Sequence, residues 1–239
     1  MTAHQLLGSD RHRDLRVRAE RGAALGDAVM TSLVVPAEFR RVQDEYPILF
    51  RMNQERTDFV ALALFGFENG ENLFLKGDRW DARYRPLALA IQPFLIGHAA
   101  PDSDVRQVHV DTASPRISGD GEGIRVFDGD GRPTPYLEEV AELLGELDAG
   151  YRESAAFFAA LRQHNLLEPF TLEIELDDGS INRLVGYHAI DEQKLAALGP
   201  DALGALHGEG HLMPIFMAVA SLGRIAELVA RKNQRNADG

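Results

Sequence analysis

The sequence contains no cysteine, which removes disulfides, thiolate metal sites, iron–sulfur clusters and cysteine nucleophiles together. Tryptophan occurs once, at Trp80, and lysine only at Lys76, Lys194 and Lys232 among 25 basic residues. The formal net charge of −12 argues against nucleic acid as a partner, because neutralising phosphates requires a basic field. The opening "MTAHQLLGSDRHRDLRVRAERGAAL" lacks an apolar core of signal-peptide length. The longest apolar run, "LMPIFMAVASLG", stops before Arg224, well short of the roughly 20 residues a membrane span needs. A soluble, cytoplasmic chain without membrane insertion is the expectation. Catalytic fingerprints are also missing: there is no G-x-S-x-G, no G-x-x-x-x-G-K and no dinucleotide motif. The glycine-rich "GDGEG" is acidic and repels phosphate.

What is present suits a folded protein. An apolar content of 45% over 239 residues supplies a real core. Residues 1–28 are polar, with Arg11, Arg13, Arg16, Arg18 and Arg21, and read as a flexible N-terminal arm. From Leu33 onward, "SLVVPAEF", "YPILF", "DFVALALFGF" and "NLFL" read as strands, with Asn69–Gly70 as a hairpin turn. Phe59 to Phe65 is almost uniformly apolar, which predicts burial on both faces. Asp81 is placed to start a short helix interrupted by Pro86, and "VRQVHVD" alternates as a strand. Leu137, Val140, Leu144, Leu147, Tyr151, Ala155 and Phe158 recur at helical spacing, predicting an amphipathic helix from Tyr136 to about Gln163, with possible breaks at Gly145 and Gly150. "TLEIELDDGSINRLVGYHAI" is a hairpin turning at Asp178–Gly179. Two short helices, "DEQKLAAL" and "PDALGALH", precede a final helix, "HLMPIFMAVASLGRIAELVARK". Its first half is apolar all round and is therefore expected to be buried. The fold class is α+β: a mostly antiparallel sheet, a long amphipathic helix, and a C-terminal hairpin with helices. One domain over 29–232 is expected, with subregions 29–135 and 136–232.

Three motifs invite chemistry. In "RVFDGDGRPTPYLEEV", Asp128, Asp130 and Glu139 fall at the first, third and twelfth positions of a calcium loop. Arg132 and Pro133, however, occupy positions that need an oxygen ligand and a flexible residue. A turn followed by a helix fits better, with Thr134 as cap and Pro135 at the first helical position. His109 and Asp111 have H-x-D spacing. With His164, His188 or His211 as third ligand and Arg224 for a co-substrate carboxylate, they outline a non-haem iron site of the cupin or 2-oxoglutarate oxygenase type. His211 opens a helix, whereas such sites carry their ligands on strands. Finally, "RWDARYRP" groups Trp80, Asp81, Arg83 and Tyr84, a mix typical of binding hot spots. The same mix also describes an internal ion pair under an aromatic lid.

Taken in order, "HRDLRV", "EYPILF", "ENLFL", "RWDARYRPLAL", "QPF", "VDTASPRIS", "FDGDGRPTPYLEEV", "LLEPFTLEIELDDG", "LVGYHAIDEQKLAAL" and "ASLGRIAELV" resemble the bacterial SapC family over residues 12 to about 230. The family name derives from surface-array proteins. The resemblance implies a role in an envelope, peptide or nutrient-uptake system, with a protein or peptide partner and homo-oligomers as a further option. It carries over no catalytic residue and no cofactor. Two readings follow: a binding or accessory protein acting through Trp80, Asp81, Arg83 and Tyr84, and an iron oxygenase using His109, Asp111 and His211.

Overall fold

The computed structural model describes residues 3–98 and 106–238. The chain runs through β1 (His4–Leu6), α1 (Ser9–His12), β2 (Arg16–Val17), β3 (Thr31–Val34), α2 (Phe39–Val42), β4 (Ile48–Met52) and β5 (Phe59–Leu64). Next come β6 (Leu75–Lys76), β7 (Arg79–Trp80), α3 (Leu87–Ala90), β8 (Phe94–His98), β9 (Arg106–Asp111), β10 (Ile124–Arg125) and α4 (Pro135–Gln163). The remainder is β11 (Leu167–Glu175), β12 (Ile181–Ile190), α5 (Glu192–Ala196), α6 (Pro200–Gly208), α7 (Leu212–Ser221) and α8 (Arg224–Asp238). Every sheet pairing is antiparallel and the fold is α+β. Val105, the first residue of the expected "VRQVHVD" strand, lies outside the described residues; the rest forms β9.

Two compact units interleave along the sequence: residues 1–28, 75–81 and 87–149 form one, and residues 29–74, 82–86 and 150–239 the other. α4 contributes to both units, which change over between Ala149 and Gly150.

The first unit corrects the reading of residues 1–28 as a flexible arm. β1 pairs with β9 in a sheet of order β1-β9-β8, and β2 pairs with β10. The physical reason is a buried arginine. Arg116, only 1% exposed, donates to Asp27 Oδ1 at 2.6 Å and to the carbonyl oxygens of Arg18 and Glu20 at 3.2 and 2.9 Å. Asp27, fully buried, also accepts the Gly22 N–H at 2.9 Å. Burying an ion pair costs less when hydrogen bonds surround it, and the amino-terminal backbone supplies three of them, the Arg18 and Glu20 carbonyls to Arg116 and the Gly22 N–H to Asp27.

The second unit is built on a five-stranded sheet of order β11-β12-β4-β5-β3. Ala61 to Phe65 are buried, and in the core Phe157 packs edge to face with Phe39 and Phe158, and Phe158 with Phe50. The β11–β12 hairpin turns at Asp178–Gly179, where Gly179 has φ +80°, a region that favours glycine. α4 runs unbroken through Gly145 and Gly150. At Gly150 the absence of a side chain is required by packing, since a Cβ would come within 2.5 Å of Val35 Cγ2.

Other expectations shift. The turn at Asn69–Gly70 exists, but "NLFL" is mostly loop, its Leu73 and Phe74 buried as plugs; only Leu75 enters β6. No helix starts at Asp81; Pro86 delays it to Leu87. Asp128 accepts the N–H groups of Asp130 and Arg132 at 2.9 Å each, so this stretch is a turn closed by its own backbone. Those bonds, with the Arg132 N–H first, hold the Asp128 carboxyl below its ordinary range. The Thr134 hydroxyl donates to the carbonyls of Arg125 and Val126, anchoring the turn rather than accepting from the helix.

Candidate binding groove

The residues first suspected of binding are occupied with one another's neighbours. Trp80 and Asp81 belong to the first unit, Arg83 and Tyr84 to the second. Asp81 receives Lys76 Nζ at 2.8 Å across the short β6–β7 hairpin that carries Trp80. Arg83 donates from Nε to Glu45 at 2.8 Å and also pairs with Asp44. The hydrogen bond to Glu45, then the charges of Asp44 and Glu45, raise its pKa. Tyr84 donates from its hydroxyl to Glu38 Oε2 at 2.6 Å, its carbonyl accepts the Tyr46 hydroxyl, and the Arg41 guanidinium lies 4.8 Å from its ring centroid. Glu38 is fully buried, and its other oxygen accepts the Val35 N–H at 2.9 Å. This is an internal polar network, satisfied at each of these atoms.

The iron-site residues do not form a cluster. Asp111 caps a turn at the end of β9, accepting from the N–H groups of Ala3 and Ala113 at 3.0 and 3.1 Å. His109 lies against Gly97, where a Cβ would approach its Nε2 within 2.5 Å. His188 stacks edge-on to Phe59 at 4.9 Å, and burial lowers its pKa. Arg224 engages Glu227 and Asp44. Among the described residues no group of three or more His, Asp or Glu side chains is placed to hold a metal. Alternation along β9 and the turn at its end account for the H-x-D spacing.

One open apolar surface lies on α7. Gly210, with φ +77°, ends α6 in a Schellman turn: its N–H bonds to the His207 carbonyl at 3.0 Å, and the His211 N–H to the Leu206 carbonyl at 2.8 Å. This turn sets His211 at the start of α7, where it accepts the Ile215 N–H at 3.2 Å. Pro214 sits in the first turn, where a missing N–H costs little. His211, Ile215, Ala218 and Ser221 form the buried stripe. Ser221 fastens it, accepting the Ile48 N–H at 2.8 Å and donating to the Ala218 carbonyl at 2.6 Å.

A stripe of period three to four leaves the other side of the helix uncovered, and that side is apolar too. Met213 is 54% exposed and Phe216 51%. Met213 also borders a groove of about 460 Å³, lined with it by Pro36 and Arg40, Glu153 and Phe157 of α4, and His211 and Met217. His211 is 9% exposed and lies edge-on to Phe157 at 5.7 Å. Its Nε2 has no hydrogen-bond partner; Glu209 Oε2 is 3.3 Å away but poorly aligned. By length and composition Leu212–Ala237 is apolar enough to cross a membrane, and 22% of its apolar window is buried within the protein. A soluble protein's core helix passes the same test, usually with far more of itself covered. The final helix of the sequence reading is thus two helices, separated at Leu222–Gly223, and its first half is half-buried. The signal was visible in "HLMPIFMAVASLG": all-round apolarity marks either a fully buried helix or one awaiting a cover.

Comparison with known proteins gives one match. No curated protein and no solved structure matches the chain significantly. The family model for SapC matches residues 7–228, nearly the whole length. The chain belongs to the SapC family.

Proposed function

We propose that this SapC-family protein is a non-catalytic accessory protein of a bacterial surface, peptide or nutrient-uptake system. It acts in the cytoplasm and holds an apolar segment of a protein partner in the α7 groove. The observation that carries this reading is the half-exposed Met213 on a groove of about 460 Å³, with the half-exposed Phe216 one turn further along α7. Contiguous exposed apolar surface with a polar rim marks interaction sites, and methionine-rich surfaces adapt to varied partners. Glu153 and Glu209 outnumber Arg40 on the rim, and the chain carries −12 overall, so a segment flanked by basic residues is favoured. Covering the exposed parts of Met213 and Phe216 contributes about 1–2 kcal/mol each. The binding role moves from the Trp80 segment to α7.

Site-specific photo-crosslinking in cells tests it, with the photoreactive residue at Phe216, Met213 or, as a control, Glu146. A discrete protein adduct at the first two positions and none at the third is the expected result, followed by calorimetry with the purified partner. Adducts with lipid or with a second copy of this chain, or none, overturn the reading in favour of a membrane surface, self-association or neither.

A further inference from the structure

We propose that Asn69 is a site of spontaneous deamidation, and that its conversion loosens the ion pairs holding α8 to the loop after β5. This inference is independent of the α7 groove. It starts from the turn "FENGEN", the one place in the chain where an asparagine precedes a glycine. The Glu71 N–H closes that turn onto the Glu68 carbonyl at 3.0 Å, leaving Asn69 and Gly70 exposed at its tip. Among the described residues none forms a hydrogen bond with the Asn69 carboxamide or the Gly70 N–H. Gly70 has φ +82°, and nothing lies within 4 Å of where a Cβ would stand. The peptide between the two is therefore open to water and unobstructed.

The chemistry needs only hydroxide and water. Hydroxide removes the Gly70 amide proton, and the nitrogen attacks Asn69 Cγ. A C–N bond forms, the bond from Cγ to the side-chain nitrogen breaks, and ammonia leaves a cyclic succinimide. Water opens the ring at either carbonyl, giving aspartate or an isoaspartate whose backbone runs through the side-chain methylene. The other asparagines precede Gln, Leu, Arg or Ala, whose Cβ hinders the same closure.

Asn69 stands between the two carboxylates that hold Lys232, with Glu71 Oε1 2.7 Å and Glu68 Oε1 3.1 Å from Nζ. The Lys232 and Glu71 side chains are both more than nine-tenths buried. Glu71 is also fixed in place: its Oε2 accepts the Phe67 N–H at 2.8 Å, and a Cβ on Gly66 would lie 2.8 Å from its Cγ. Isoaspartate lengthens the backbone of a tight turn whose Glu71 side cannot move. Either product also adds a carboxylate beside two that already share one ammonium. The Glu68 carboxylate, 59% exposed, is the contact that gives way.

The test incubates the full chain at mildly alkaline pH, with a mildly acidic control, and maps its peptides by mass spectrometry with electron-transfer fragmentation. Asn69 should convert ahead of every other asparagine, faster as hydroxide rises, with isoaspartate among the products. The converted chain, separated by anion exchange, should melt at least about 2 °C lower, as expected for loss of one charged hydrogen bond in a chain of this size. Asn69→Gln, incubated alike, should keep its melting temperature, which separates this site from general ageing. Lys232→Met should convert at Asn69 as before, yet melt no lower for it. Conversion of another asparagine ahead of Asn69 overturns the site. A converted chain that melts like the unconverted one overturns the coupling to Lys232.

Discussion

The segment from Arg79 to Tyr84 and the segment from His211 to Met217 exchange the roles their compositions suggest. The first is charged and aromatic, like a binding hot spot, yet Tyr84 is directed inward and Arg83 and Asp81 pair with neighbours at the surface. Tyr84 serves the buried Glu38, Arg83 serves Glu45 and Asp44, and Asp81 serves Lys76. The second is apolar, like a core helix, yet half of it faces outward. Composition sets what a side chain can do; whether it is already engaged is set by what the fold brings beside it.

The comparison breaks most sharply at Glu38. Glu38→Ala strands the Val35 N–H and the Tyr84 hydroxyl, so unfolding should become easier by about 3 kcal/mol in chemical denaturation. If the loss is under about 1 kcal/mol, the network is dispensable and the Tyr84 segment is free for other work.

A second, pH-dependent test concerns the Lys232 latch, where Nζ reaches Glu71 at 2.7 Å and Glu68 at 3.1 Å. Burial pulls the Lys232 pKa down, but the hydrogen bonds and charges of both glutamates outweigh it, and the net shift is upward from 10.5. Glu68 is lowered from 4.5, first by the Asn182 hydrogen bond and then by Lys232. The Glu68 contribution is present above pH 4.5 and fades as pH falls through the depressed folded value; the Lys232 contribution is present below pH 10.5 and fades as pH rises beyond it. Melting temperature against pH should therefore decline at both ends. In Lys232→Met the alkaline decline should vanish and the acid one should shrink. An unchanged profile would show that the latch is not formed in solution.

The smallest effect belongs to α7. Met213→Ser with Phe216→Ser should change stability by no more than about 0.5 kcal/mol, as at other surface positions, while abolishing partner capture. A large loss of stability would make the outward face part of the core after all.

Much of this fold is legible from local physics. The Asp178–Gly179 turn, the alternation in β11, the spacing in α4 and the Asp191 cap, which accepts the Lys194 N–H at 2.9 Å, all depend on neighbours in sequence. The amino-terminal strands were not legible, because Asp27 and Arg116 are far apart in sequence and only their burial together fastens residues 16–28. Gly150 looks like a helix breaker until Val35 is placed against it.

By itself the sequence determined the α+β class, the tight turns, the exclusion of thiolate chemistry and the family. The tertiary structure decided which polar residues are spent on the fold and which apolar ones are left uncovered. The reason is range: helical periodicity, turn geometry and capping act over a few residues, whereas burial and charge pairing depend on groups that only folding brings together.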